Sequence, residues 1–236
     1  MSGGVTVRPL RRVPEMAIGR APALSPADAA RVEAERRRLD AHPAMVDGPI
    51  LMVAAASPER LALYPATYAW HTADRAGPLP GTHGALGVQL ALVGEDGSIL
   101  WQRRSDAVDH PGGWTISVAG TAVPGVALEH QIVAEADEEL GLGPADLLGL
   151  EPMALVDDRR GRTVQVVFRA GLSPSARIVP QPGEVAETRL SPSTPATGPP
   201  SRSRRPGGRS LSGSRPGKGR IPPDGRLLPR EHPRSL

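Results

Sequence analysis

Three glutamates near the middle of the chain have the spacing of a metal site. Glu135, Glu138 and Glu139 lie in the stretch AEADEELGL, which ends just after Gly141. In a helix, positions i, i+3 and i+4 lie on one side, so the three carboxylates can converge. Converging carboxylates repel one another unless a cation compensates, and oxygen ligands of this kind suit Mg²⁺ or Mn²⁺. A solvated helix face with no ligand is the alternative interpretation.

The element that must present these carboxylates is a helix from about Ala127 to Leu140. Gly141 stands where a helix-terminating glycine belongs. At 100° per residue, one broad apolar face is formed by Leu128, Ile132, Val133, Ala136 and Leu140. The glutamates lie on the shoulder of that face, so the helix can bury one side and keep the acids at its edge.

Predicted strands flank the helix on both sides in the chain. The runs ALGVQLALV and SILWQRR surround the turn GEDG and predict a hairpin. A short strand, TISVAG, precedes the helix. After it, LEPMALVDD and TVQVVFRAG predict a second hairpin around RRGR, and EVAETRL predicts one more strand. Strands on both sides of one long helix favour an α+β sandwich.

The chain divides by composition into four segments. Residues 1–24 are basic and interrupted by prolines, which predicts a mobile arm. Residues 25–84 form an N-terminal extension that begins with a helix capped by Ser25, and strands are expected at PILMVAAA and around YPATYAW. Residues 85–190 form the main domain, and residues 191–236 form a tail.

The tail differs from the rest of the chain in composition and charge. Of its 46 residues, 34 are Pro, Arg, Gly or Ser, which predicts disorder. It carries ten Lys and Arg against two acids, whereas the preceding 190 residues carry 18 basic and 23 acidic residues. The high isoelectric point therefore describes the tail alone. Because EVAETRL runs directly into this composition, we hypothesise that a change of reading frame has replaced the original C-terminus.

The totals exclude several classes of protein. No apolar run approaches the roughly 18 residues that cross a bilayer, so we expect a cytoplasmic protein without a membrane partner. The absence of cysteine excludes disulfides and thiolate metal sites. All six aromatic residues lie between positions 64 and 168, which places the core there.

The stretch GTAVPGVALEHQIVAEADEELGL resembles the Nudix box. The pattern of that box is Gly, five residues, Glu, seven residues, Arg-Glu, an aliphatic, any residue, Glu-Glu, any residue, Gly and an aliphatic. The residues that match in register are Gly120, Glu135, Glu138, Glu139, Gly141 and Leu142. The RRS at residues 103–105 and the PGGW at residues 111–114 fit the same family. The resemblance implies a Nudix-like α/β/α sandwich with a mixed sheet over residues 85–190.

Two departures from the box concern the chemistry. Val126 stands where the family has a glutamate, and Ala134 stands where it has an arginine. The resemblance implies that the box glutamates hold Mg²⁺ or Mn²⁺ for hydrolysis of a nucleoside diphosphate linked to another group. The N-terminal extension is similar to that of members acting on nucleotide sugars. Because of the departures, a Nudix-fold protein that binds without turnover remains an alternative; a nucleic-acid-binding protein acting through its basic tail is another.

The resemblance assigns roles to the box residues and leaves other roles open. Glu135 is expected to be a ligand or the base, Glu138 and Glu139 are expected to be ligands, and Gly120 and Gly141 are structural. Arg103 and Arg104 are candidates for binding substrate phosphates. Glu184 and Glu187, outside the box, are candidates for the catalytic base, and a structural role at a strand edge is the alternative for each. Trp101 and Trp114 are candidates for stacking on a nucleobase, and a place in the core is the alternative for each. The expected partner is a small nucleotide; the sequence leaves the oligomeric state open, with a homodimer as one possibility.

Overall fold

The structure is a computed structural model that describes residues 4–42, 46–105 and 112–192. The predicted disordered tail lies outside the described residues except for its first two positions, 191 and 192. The hypothesis of a changed reading frame and the tail-based nucleic-acid role concern the same outside segment. Among the described residues, no helix is long and apolar enough to cross a membrane.

The described chain forms three α-helices separated by groups of strands. The helices are α1 (Pro26–Asp40), α2 (Tyr68–Ala76) and α3 (Leu128–Leu140), with a single 3₁₀ turn at Pro144–Asp146. The strands before α3 are β1 (Val5–Pro9), β2 (Glu15–Ile18), β3 (Pro49–Ala56), β4 (Arg60–Thr67), β5 (Gly84–Val93), β6 (Ile99–Arg104), β7 (Trp114–Ile116) and β8 (Val118–Thr121). The strands after it are β9 (Leu147–Asp158), β10 (Thr163–Leu172) and β11 (Val185–Ser191).

The strands form a mixed sheet. Its main path runs β1-β9-β10-β5-β3-β4-β2, in which β10 and β5 are parallel, as are β2 and β4. Away from this path, β6 pairs with β5, β7 and β11, and β8 pairs with β5. The strand β5 is therefore the centre of the fold. This mixed sheet with its few helices confirms the predicted α+β, Nudix-like class.

The predicted helices and hairpins around the glutamates are confirmed. The α3 helix ends at Gly141, whose φ of 65° is left-handed and whose N–H donates to the carbonyl oxygen of Asp137. The hairpin β9–β10 pairs as expected, and β11 adds to β6. The expected strand TISVAG is split, because Ser117 has a φ of 28° and turns the chain from β7 to β8. Consequently β7 pairs with β6, whereas β8 pairs with β5.

The prediction of a mobile arm at residues 1–24 is wrong for the part that the structure describes. The strand β1 pairs antiparallel with β9, and β2 pairs with β4. The prolines that suggested a mobile arm lie at the end of β1 or outside the two strands, where a missing N–H costs no ladder bond. Of the arginines in this segment, Arg8 lies on the edge strand β1, whereas Arg11, Arg12 and Arg20 lie outside the two strands.

The N-terminal extension and the main domain share one sheet. Met52 of β3 pairs with Ala85 of β5, and the N–H of Leu51 donates to the carbonyl oxygen of Ala122 at 2.8 Å. The expected strand around YPATYAW extends only to Thr67, and the chain then turns into α2. The boundary drawn at residue 84 is therefore a point within continuous structure, and α2 lies close to the main domain.

The central strands bury one face and leave the other facing a cavity. On β5, the alternating residues Leu86, Val88 and Leu90 are buried, and the apolar face of α3 belongs to the same core. The opposite face of β5 carries Gly87 and Gln89. This alternation follows from the period of two in a strand, so α3 packs against one face of β5 and the polar residues line the cavity on the other face.

Candidate active site

The burial of α3 separates the three glutamates that the sequence grouped together. The apolar side chains at positions 128, 132, 136 and 140 are fully buried and fix the rotation of the helix. In this orientation Glu139 is only 3% exposed, Glu135 is half-buried and Glu138 is exposed. The three acids therefore occupy different environments, and Glu139 is the one desolvated most.

Glu139 is held by a residue that sequence reasoning did not identify. The Nε2 of Gln102, on β6, donates to Oε2 of Glu139 at 2.6 Å, and both side chains are buried. The pKa of Glu139 is raised to about 7, chiefly by burial and also by the negative charges of Glu135 and Glu184. The hydrogen bond from Gln102 and the positive charge of Arg104 act in the opposite direction. At neutral pH this carboxyl group is thus poised between its charged and neutral forms.

Glu135 lies against the glycine that begins the box. Its Oε1 accepts a hydrogen bond from Nε2 of Gln131 at 2.7 Å, one helical turn earlier. A Cβ atom added at Gly120 would overlap the carboxylate of Glu135 in its present position, so a side chain there would require the carboxylate to move. Burial raises the pKa of Glu135, and Glu138 and Glu184 also raise it. The spacing between Gly120 and Glu135 in the sequence therefore has a steric cause.

Glu184 joins this group from outside the box. It immediately precedes β11, and its carbonyl oxygen accepts a hydrogen bond from the N–H of Ser105 at 2.8 Å. Its charge acts on both Glu135 and Glu139. Glu187, the other candidate base, is instead bound to Arg103, with Nε and Oε2 3.1 Å apart. The structure therefore separates two candidates that the sequence left equivalent.

The two candidate phosphate-binding arginines point in different directions. Arg103 makes an exposed ion pair with Glu187 and does not line the cavity. Arg104 lines the cavity and acts electrostatically on Glu139. Successive residues of a strand face opposite sides of the sheet, so only one of the pair can reach the carboxylates.

A cavity of about 790 Å³ has Arg104 and Gly120 among its lining residues, whereas the glutamates of α3 do not line it. It is bounded by α2, by β7 and by the turn between β9 and β10, and its base is the polar face of β5, β8 and β10. Arg75, Arg104 and Arg160 line it together with one acid, Asp158, so its charge is mainly positive. Trp114, expected in the core, is 39% exposed and lines the cavity instead. A cavity of this size and charge suits an anionic ligand as large as a nucleotide.

The donor atoms near α3 are suitable for a hard divalent cation. Glu135, Glu138 and Glu139 supply carboxylate oxygens from α3, with Glu184 near them, and the mutual repulsion of these groups is what a bound cation would relieve. In the described part of the chain, however, no three His, Cys, Asp or Glu side chains already converge in a metal-binding arrangement. The carboxylates of Glu135 and Glu139 are instead bound by the amides of Gln131 and Gln102. These oxygen donors suit Mg²⁺ or Mn²⁺. Binding of the cation requires the side chains of Glu135 and Glu139 to rotate away from their amide partners.

Comparison with known proteins gives the family. The NUDIX domain matches residues 84–204, just over half of the chain. The chain therefore belongs to the NUDIX family, that is, to the Nudix pyrophosphohydrolases, which generally use a divalent metal and act on small nucleotide-derived substrates. No match was found among curated proteins.

Solved structures of this family resemble parts of the chain. DR0079 from Deinococcus radiodurans is 20% identical, with a TM-score of 0.40, over 46% of this chain and 67% of its own. A MutT protein from Methanosarcina mazei Go1 is 21% identical, with a TM-score of 0.37, over 46% and 76%. The Nudix hydrolase RenU from M. smegmatis is 25% identical, with a TM-score of 0.35, over 46% and 69%.

Proposed function

We propose that this protein hydrolyses the diphosphate of a nucleoside diphosphate linked to another group, and that nucleotide sugars are the first substrates to test. The observation that carries the proposal is that Arg104 and Gly120 line a positively charged cavity of about 790 Å³ and also adjoin two desolvated carboxylates. Arg104 acts electrostatically on Glu139, and Gly120 lies against the carboxylate of Glu135. The phosphate groups of a diphosphate in that cavity would lie near the arginines. The bond to be hydrolysed would then lie near the carboxylates.

Each side chain has a definite task in this proposal. Glu135, Glu138 and Glu139 would hold Mg²⁺ or Mn²⁺, with Gln102 keeping Glu139 in place. When bound, the metal supplies positive charge to the phosphoryl oxygens and lowers the pKa of a coordinated water. Arg104 binds a phosphate oxygen of the substrate, and the carboxylate of Glu184 accepts the proton of the attacking water. Hydrolysis then yields a nucleoside monophosphate and the phosphorylated second group.

The choice of Glu184 over Glu187 as proton acceptor is supported by charge and position. Glu184 acts electrostatically on both box carboxylates, and Glu187 is already paired with Arg103. A proton acceptor must lie within hydrogen-bond reach of the attacking water, directly or through one water. Glu184, which is near the box carboxylates, meets that requirement better than Glu187, which is paired with Arg103 on the other face of β6.

The experiment is a hydrolysis assay of the full chain with Mg²⁺ and with Mn²⁺. Nucleotide sugars, dinucleotides and nucleoside triphosphates are supplied, and release of nucleoside monophosphate is measured. We expect turnover of at least one class, and a loss of at least about a hundredfold in Glu139→Gln, because removing a transition-state charge partner has effects of that size. The matched control is Glu129→Gln, an exposed acid on the same helix, which is expected to keep the wild-type rate.

A second candidate function is binding of such a nucleotide without turnover. It is favoured by Val126 and Ala134, which replace two box residues, and by the amide partners that occupy Glu135 and Glu139. A folded protein that binds these nucleotides but releases no monophosphate from any of them would establish this function and refute hydrolysis.

A further inference from the structure

The face of the central strands that lines the cavity has an unusual composition for the middle of a sheet. On the opposite face, Leu86, Val88, Val164 and Val166 are at most 1% exposed. The cavity face carries small and uncharged polar residues, which we call the cavity floor: Ala85, Gly87, Gln89, Thr121, Thr163 and Gln165. These residues are neighbours by register, since Gly87 pairs with both Thr121 and Gln165. A central sheet face that is polar and borders a cavity is suited to a ligand with polar groups.

Gly87 makes the middle of the floor flat. A Cβ atom at this position would lie 3.3 Å from Cγ of Gln165 and 3.4 Å from the carbonyl oxygen of Gly120, both tighter than ordinary contacts. The absence of a side chain therefore lets Gln165 lie across the neighbouring strand. The floor extends from Ala85 to Gln89, four residues or roughly 13 Å along β5, which is long enough for a nucleoside.

The carboxamide of Gln165 has hydrogen-bonding capacity to spare. Within the described residues it makes no hydrogen bond, whereas the amide of Gln89 donates to Oγ1 of Thr115 at 3.3 Å. Gln165 is half-buried and lines the cavity, so its amide is presented to whatever occupies that space. A carboxamide offers a donor beside an acceptor, which is complementary to the edge of a nucleobase.

Aromatic rings lie on two sides of this floor. Tyr68 and His71 belong to α2, with ring centroids 5.8 Å apart and planes tilted by 59°. Trp114 lies on β7, on another side of the cavity. Rings of this kind provide stacking or edge contacts for a flat ligand. Since α2 precedes residue 84, where the family match begins, this wall is contributed by the N-terminal extension.

A buried ion pair fixes α2 against the turn that precedes β10. Nε and Nη2 of Arg162 donate to the two carboxylate oxygens of Asp74 at 2.8 and 2.7 Å, and Asp74 is fully buried. Asp74 also accepts the N–H of Leu79 at 2.8 Å. A bidentate ion pair of this type fixes both the separation and the relative orientation of the two side chains. The aromatic wall and the floor are therefore held in a fixed relation before any ligand binds.

We propose that the floor centred on Gly87 and Gln165, together with the α2 wall of Tyr68 and His71, is a nucleobase subsite. Gln165 hydrogen-bonds to the edge of the base, and the extension helix α2 contributes ring contacts. The uncharged floor excludes the phosphates, which bind nearer Arg104 and the glutamates. This inference rests on the proposed function for the identity of the ligand as a nucleotide.

Calorimetric titration of the full chain, without metal, tests the subsite independently of turnover. The probes are AMP, GMP, CMP and UMP, compared with ribose 5-phosphate, which has the same sugar and phosphate but no base. We expect at least one monophosphate to bind about tenfold or more tightly than ribose 5-phosphate, because base stacking and pairing have contributions of that order. Gln165→Leu and Tyr68→Leu are each expected to reduce this preference severalfold and to leave the affinity for ribose 5-phosphate unchanged.

The control is Gln181→Leu, which removes an exposed amide that does not line the cavity and should preserve the preference. If Gln165→Leu fails to fold, as judged by circular dichroism, Gln165→Asn retains polarity but withdraws the amide by one methylene and takes its place. Equal affinity for ribose 5-phosphate and all four monophosphates overturns the subsite, as does a preference unaffected by both Gln165→Leu and Tyr68→Leu. Binding that depends on the base, without any hydrolysis, would support the nucleobase subsite and refute only the proposed hydrolase activity.

Discussion

Gln102 on β6 donates a buried hydrogen bond of 2.6 Å to Glu139 on α3. The bond stabilises the charged form of a carboxyl group whose pKa burial has raised to about 7. Gln102 therefore sets how much of Glu139 is ionised at neutral pH.

Replacing Gln102 should change the pH dependence of the reaction. Without the donated hydrogen bond in Gln102→Leu, the pKa of Glu139 rises further, so the acidic limb of the rate profile should move to higher pH. The measurement is kcat/KM against pH, with Gln181→Leu as the control for loss of a glutamine amide. A profile of lower amplitude but unchanged position would mean that Gln102 supports the fold alone.

Glu139 should make the metal-free protein less stable as the pH rises. Its folded pKa, about 7, exceeds its ordinary value of 4.5, so the folded state holds the proton more tightly. This contribution to stability is fully present below about pH 4.5 and is lost as the pH rises through about 7. Urea unfolding in EDTA at about pH 5 and about pH 8 should show a larger decrease for the wild type than for Glu139→Gln. Equal decreases in both proteins would contradict the raised pKa.

Divalent metal binding should follow the opposite trend with pH. A carboxylate must lose its proton before it can bind a cation, so affinity should increase as Glu139 ionises toward and above pH 7. Titration of Mn²⁺ followed by water proton relaxation measures this directly. The same titration on Glu139→Gln should give weaker binding and a flatter dependence on pH. A wild-type affinity that is constant from acid to neutral pH would exclude Glu139 as a ligand.

A side chain at position 120 should displace Glu135. In Gly120→Ala the new Cβ would overlap the carboxylate, so either α3 moves away from β8 or Glu135 leaves the site. We expect a loss of activity of at least about tenfold, since small displacements of catalytic groups have large effects. Gly48→Ala is the control, because nothing lies within 4 Å of a Cβ added there. Similar activity in both variants would show that Gly120 does not define the position of Glu135.

The Asp74–Arg162 pair should be far more important to stability than an exposed ion pair. Arg162→Met leaves the fully buried Asp74 without its partner and should reduce the free energy of unfolding by about 3–5 kcal/mol. Arg36→Met breaks the exposed pair with Glu33 and should cost about 1 kcal/mol or less. Chemical denaturation of the two variants gives the comparison. Equal, small losses would mean that α2 is held by its other contacts.

Local features of the sequence were sufficient for the elements around the box. The apolar spacing of α3, the left-handed Gly141 and the turn between β5 and β6 depend on neighbours within a few residues. The same local reasoning failed for residues 1–24, because β1 and β2 form only by pairing with β9 and β4, which are distant in the chain. Strand formation of this kind is decided by the partner.

The sequence by itself determined the family and the presence of α3, because the box pattern and the apolar spacing of the helix are properties of short, contiguous segments. Only the tertiary structure decided that Glu139 is buried and Glu138 exposed, since the rotation of α3 depends on the core against which it packs. It also brought Gln102 and Glu184 to the box and placed α2 beside the cavity. Those relationships join residues tens of positions apart, and their geometry follows from strand pairing and side-chain packing across the whole fold.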